Sequence, residues 1–164
     1  MIRSVACMLC LMICAALSAC VTVQDPVATS HSAPVTGAVQ ITSASHAHAL
    51  NALRAQHGLG ALQPNATLER VASGHARDMM ANGFFGHVSS NGDTFVDRTR
   101  AQGYAYCHVA ENLAKGQSSF DNVLQQWMTS PVHRRNVLHG QVTEFGLARG
   151  AGNLWVLVLG TPGC

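Results

Sequence analysis

Apolar residues recur at helical spacing over four stretches of the chain, and over two more they alternate or run without a break. The helical period predicts a first helix from Ser45 to His57, with Leu50, Leu53 and His57 on one stripe and Gly58 as its stop. Asn65 is a good N-cap for a second helix. Its inward stripe is Leu68, Val71, Ala72, His75 and Met79, and Gly83 ends it; His75 reads as a packed core histidine. Asp93 is expected to cap a short third helix through about Gln102, closed by Gly103. Ser118 or Ser119 caps a fourth, with Phe120, Val123, Leu124, Trp127 and Met128 on one side. That helix must stop before Pro131, because a residue ahead of proline disfavours the helical region. Tyr104 to Leu113 reads as extended. Val142 to Ala148 and Leu154 to Leu159 read as strands joined by a glycine-rich hairpin. The last of these, Leu-Trp-Val-Leu-Val-Leu, is apolar on both faces and has to be covered on both sides. The predicted fold class is α+β, a three-layer α-β-α sandwich with a central antiparallel sheet, formed by residues 45–164 as one domain large enough to bury a core.

The first 44 residues follow a different pattern. Arg3 precedes an apolar run from Val5 to Leu17 that is too short to span a bilayer and reads as an export signal over residues 1–19. Its end, Leu17-Ser18-Ala19-Cys20, resembles the lipobox of bacterial lipoproteins, which implies acylation of Cys20 and anchoring in a membrane. Val21 in the following position implies, by the same resemblance, the outer membrane of a Gram-negative envelope. The alternative is plain secretion with cleavage near Ala19. Residues 20–44 then comprise the lipidated cysteine and a tether rich in Ser, Thr, Ala, Pro and Gly, with no period of either kind and Asp25 its one charge. His31, His46 and His48 fall in or near this tether and read as incidental.

Charge narrows the class of partner. The formal net charge is only +2, and Lys115 is the single lysine. A nucleic-acid partner would want a basic face, so none is expected; nor is there a polybasic patch for lipid headgroups. Cys7, Cys10 and Cys14 lie in the export signal, which leaves Cys107 and Cys164 in the folded part. In an exported domain such a pair reads as a disulfide. Closing that loop of 57 positions stabilises by roughly 4 kcal/mol in the chain-entropy picture. A Cys107–His108 nucleophile pair is the competing reading, disfavoured because adjacent residues on an extended segment point to opposite faces.

Candidate chemistry gathers in short stretches where one ionisable side chain sits among glycine, aromatic or proline residues. These are Phe84-Phe85-Gly86-His87, Ala110-Glu111-Asn112-Leu113, Trp127-Met128-Thr129-Ser130-Pro131-Val132-His133 and Thr143-Glu144-Phe145-Gly146. His87, Glu111, His133 and Glu144 are expected to converge on one cleft. With Asn51-x-x-Arg54-x-x-x-Gly58, Gly103-Tyr104 and Arg134-x-Asn136 in register, the chain resembles the bacterial branch of the CAP superfamily: cysteine-rich secretory proteins, antigen 5 and pathogenesis-related 1 proteins. The resemblance covers nearly all of residues 45–164 and implies two histidines and two glutamates around a central cleft, in some members holding a divalent metal. Residue by residue it implies His87 and His133 as the histidines and Glu111 as the first glutamate. Where the second glutamate would fall this chain has Ser130, and the acid ahead of the next strand's glycine, Glu144, is expected in its place.

Three readings follow. In the leading one the domain is a non-enzymatic, membrane-tethered module that binds a small hydrophobic ligand, as the resemblance implies, or an envelope protein. In the second, His87, His133 and Glu111 hold Zn²⁺ or another divalent metal and hydrolyse envelope peptide or glycan. No Gly-x-Ser-x-Gly elbow or helical His-Glu-x-x-His marks a catalytic centre, and no catalytic residue is assigned. In the third, the His/Glu set only holds the fold, with Arg134 pairing Glu111 or Glu144.

Overall fold

A computed structural model describes residues 39–164. The export signal, Cys20, His31 and the tether as far as residue 38 lie outside the described residues. The elements are β1 (Gln40–Ile41), α1 (Ala44–Gln56), β2 (Gln63–Pro64), α2 (Ala66–Asn82), α3 (Phe95–Ala101), β3 (Tyr106–Lys115), α4 (Phe120–Thr129), α5 (Pro131–Val137), β4 (Glu144–Gly150) and β5 (Leu154–Pro162).

Local chemistry sets most of these boundaries. Asn65 accepts from the N–H groups of Thr67 and Leu68 and starts α2, and Gly83, at φ 67°, ends it in the left-handed conformation that glycine adopts without cost. Ser119 caps α4 by accepting from the Asn122 N–H. The third helix starts one residue later than expected. Thr94, not Asp93, is its cap, because Asp97 returns a bond to the Thr94 N–H and completes a reciprocal box. Pro131 stops α4 as expected and also opens α5, standing at the first position, where its missing N–H costs nothing.

The sheet runs β1-β4-β5-β3, with β2 alongside β4. Its pairs are antiparallel apart from β2 with β4. One face carries Phe145, Leu147, Trp155, Leu157 and Leu159 against α1, α4 and α5. The other carries Leu113, Ala148, Leu154, Val156 and Val158 against α2, with α3 packed beside α2. Every residue of β5 from Leu154 to Gly160 is buried, as its two-faced apolar run requires. The α-β-α sandwich is therefore present as expected from the pattern. Gly146 lets α2 approach closely, since a Cβ there would strike the Leu68 backbone, and Gly160 makes room for the Tyr104 ring, 2.8 Å from where a Cβ would stand.

The buried stripe of α1 takes Arg54 in place of the expected His57. His57 is exposed and caps α1, whereas Arg54 is buried at 1 % exposure. Its guanidinium donates to the carbonyls of Gly60 (3.0 Å), Val137 (2.8 Å) and His139 (3.2 Å), and burial pulls its pKa down. Cys107 and Cys164 are joined, with Cα atoms 5.1 Å apart, so Cys107 is not a thiol nucleophile. The bond ties the C-terminus to the start of β3, where the register with β5 shifts between Tyr106 and His108. No helix among the described residues is long and apolar enough to cross a membrane.

Candidate functional site

The middle of β3 organises the site. Glu111, Asn112 and Leu113 are all buried and each fixes a different neighbour. The Leu113 carbonyl accepts from the Trp127 indole at 3.0 Å and locks α4 to the strand. Asn112, on the opposite face from Glu111, donates to the His133 carbonyl (3.0 Å) and accepts from Asn136 (2.8 Å), which also donates to the Glu111 carbonyl (3.2 Å). Two asparagines thus clamp α5 against β3, and that clamp sets where His133 lies.

Glu111 turns its carboxylate the other way, with no exposed side-chain surface. A buried carboxylate must be paired and hydrogen-bonded to persist. The Nδ1–H of His87 donates to one oxygen at 2.8 Å, and a guanidinium nitrogen of Arg98 donates to the other at 2.7 Å. Arg98 also donates to the His87 carbonyl (3.0 Å), the Ser89 hydroxyl (2.9 Å) and the Asp93 carbonyl (3.1 Å). It therefore holds the loop that carries His87 as well as the acid that orients it. From beneath, the buried His75 donates through Nε2 to the Gly86 carbonyl at 2.8 Å. Burial foremost lowers the His75 pKa, against an upward pull from Glu111, so it stays neutral.

With Nδ1 committed, the His87 ring, half exposed, keeps Nε2 for a ligand. His133 stands across from it, and the two line a cavity of about 400 Å³ with Phe85, Leu113, Lys115 and Gln126. Burial first, and the charge of His87 second, lower the His133 pKa. Among the described residues, those lining this cavity include no serine, threonine, cysteine or carboxylate.

The structure thus brings His87 and His133 to one cavity, while Glu111 lies outside its lining and reaches it only through His87. It holds Glu144 elsewhere on the same sheet face: Glu144 pairs with Gly160, whereas Glu111 pairs with Val158 two rungs along. One Glu144 oxygen accepts from the Tyr104 hydroxyl at 2.6 Å and from Asn65 at 3.0 Å. The tyrosine pKa is pushed up, by burial first and by Glu144 next. Arg134, expected to pair one of the two acids, is exposed, and Arg98 takes that place for Glu111. Arg98 escaped the sequence reading because an arginine on a short helix carries no mark of its own. The available signal was Glu111 itself, an acid between apolar Val109 and Leu113, which demanded a cation from somewhere.

A divalent metal would find two imidazoles here. Glu111 is spent on His87 and Arg98, and among the described residues no group of three His, Cys, Asp or Glu stands ready to hold an ion. That falls short of the three protein ligands of a catalytic zinc centre.

The sequence model described as the Cysteine-rich secretory protein family (CAP) matches residues 47–157. An uncharacterized protein, YkwD, of Bacillus subtilis (strain 168) is 34% identical over 106 residues, which are 64% of this chain and 41% of that protein. The chain thus spans less than half the length of that relative. Among solved structures, an extracellular protein containing a SCP domain from Bacillus anthracis str. Ames superposes with a TM-score of 0.66 at 28% identity, covering 71% of this chain and 39% of that one. An outer surface protein from Borrelia burgdorferi shares the fold, with a TM-score of 0.67 at 21% identity over 77% of this chain and 99% of that one.

Proposed function

The chain belongs to the cysteine-rich secretory protein (CAP) family, and from that premise we propose that its folded domain is a non-enzymatic binding module. It takes a small or lipidic ligand, or an envelope partner, in the cleft between His87 and His133. The observation that carries this reading is the double commitment of Glu111 to His87 and Arg98. A carboxylate so engaged is a strut for the histidine, neither a free base nor a free metal ligand. What faces the cavity is rich in donors and apolar surface, with Phe85 48% exposed at its rim, and offers no serine, threonine or cysteine. Incubating the protein with a lipid extract and identifying retained species by mass spectrometry tests the reading, beside a His87→Ala/His133→Ala variant. Ligand retained by the wild type alone supports it, and nothing retained by either sinks the lipidic version.

In the same reading the export signal is removed and acylated Cys20 holds the domain to the envelope, in the outer membrane of a Gram-negative cell. Leu17-Ser18-Ala19-Cys20 supports this, as do relatives described as extracellular and outer-surface proteins. Labelled palmitate should enter the wild type and not Cys20→Ala.

One observation favours a second reading, in which the cleft binds a divalent metal. A histidine backed by a carboxylate through Nδ1 is the arrangement that metal-ligating imidazoles adopt. His87 and His133 would be the ligands and Glu111 the support. Zn²⁺ titration of wild type and double variant decides it: one-to-one binding lost in the variant supports the metal, and equal behaviour removes it.

A further inference from the structure

A separate cavity of about 260 Å³ opens where α1 and α4 begin, beside the β4–β5 hairpin. Its floor is aromatic and rigid. Trp155 is 1% exposed and its indole N–H donates to the Gln117 carbonyl at 2.8 Å. The rings of Phe120 and His46 stand 5.7 and 5.8 Å from it. Arg149 and Trp155 are cross-strand partners, and the guanidinium lies over the indole, 5.0 Å from the ring centroid. Asn153, at φ 55° in the hairpin turn, accepts from one of its nitrogens at 2.6 Å. That single bond leaves most of the five guanidinium N–H donors for other partners.

Asp121 lines the same cavity from the first turn of α4. None of the described residues forms an ion pair with it. Both charges reach His46, whose pKa burial lowers first, Arg149 lowers next and Asp121 raises. His46 thus lines the cavity together with a cation and an anion.

An apolar floor flanked by a positive charge held over Trp155 and a negative charge at the rim is complementary to a compact zwitterion. We infer that this cavity is a second binding site, for a free α-amino acid with an apolar side chain. Its carboxylate meets Arg149, its ammonium meets Asp121, and its side chain packs against Ala49, His46 and the exposed edge of Phe120, above the buried Trp155. The two charges explain why neither a plain anion nor a plain cation is the best fit: each would leave one charge unanswered and meet repulsion from its like.

Calorimetry on the full chain tests this with L-phenylalanine, 3-phenylpropionate and 2-phenylethylamine, which carry both charges, the carboxylate only and the amine only. L-Phenylalanine should bind, and each half-charged analogue should bind about tenfold or more weakly, the loss expected for one unmet charged hydrogen bond. Arg149→Gln should weaken L-phenylalanine about tenfold or more, and should tighten the amine by removing the like charge that repels it. Asp121→Asn, on the exposed rim and harmless to the fold, should likewise weaken L-phenylalanine and tighten 3-phenylpropionate. His87→Ala/His133→Ala should leave all three affinities as they were. Equal affinity for the three compounds, no binding of L-phenylalanine, indifference to both charge substitutions, or loss in the double histidine variant would each overturn the site.

Discussion

Replacing Arg98 with methionine should be among the most damaging single changes in the described chain, chiefly because of one buried ion pair. The substitution keeps the aliphatic stem and removes the guanidinium from a Glu111 carboxylate that has no exposed side-chain surface, Arg98 itself being only 10% exposed. Solvent cannot step in for the lost partner, so the screening that makes surface pairs weak does not apply. Breaking a buried pair by deleting one member typically costs about 3–5 kcal/mol, and the bonds to the His87 and Asp93 carbonyls and the Ser89 hydroxyl go with it. Urea unfolding followed by the fluorescence of Trp127 and Trp155 measures the loss directly. The companion variant carries the mechanism: Arg98→Met with Glu111→Gln removes the stranded charge, and it should recover a substantial part of the stability lost in Arg98→Met alone. The Nδ1–H proton of His87 provides a second readout by NMR, because Glu111 freed of Arg98 should hold it in a stronger bond and move its resonance downfield. A loss below about 1 kcal/mol, or two substitutions whose costs simply add, would refute the claim that Arg98 exists to neutralise Glu111.

Other consequences are open to measurement. His75 and His133 have folded pKa values below their ordinary ones, burial being the main cause in both. The unfolded chain then takes up protons first, so stability is full above about pH 6.5 and falls as pH drops below it; a flat stability profile between pH 7 and 5 contradicts this. Gly146→Ala should leave the protein unfolded or insoluble, since its Cβ meets the Leu68 backbone, whereas Gly74→Ala on α2, with open space around the new Cβ, should stabilise by about 0.5–1 kcal/mol. Circular dichroism melts of the two variants make the contrast. Substituting Cys107 and Cys164 by serine opens a loop of 57 positions and should cost roughly 4 kcal/mol in urea; an unchanged midpoint would show that the unfolded chain gains no freedom from the opened loop.

The two-faced apolar run of β5, the 3.6-residue stripes of α2 and α4 and the caps at Asn65, Gly83 and Ser119 determined the layered fold without help from tertiary contacts. Local backbone chemistry and burial periodicity act over a few residues, and the sequence displays them directly. The pairing of His87 with Glu111 and the place of His133 across the cavity were legible for a related reason: each ionisable group sits among residues that stiffen or bury it. Which groups touch was another matter. Arg98 rather than Arg134 answers Glu111, Tyr104 and Asn65 claim Glu144, and Arg54 is buried while His57 is not. Pairing of this kind depends on where segments far apart in the chain meet, and a buried charge takes whichever partner the packing delivers. The cavity lined by Arg149 and Asp121 belongs to the same class, since Arg149 and Trp155 come from adjoining strands and Asp121 and His46 from two helices. Short-range patterns built the sandwich; only its closure decided which side chains share a site.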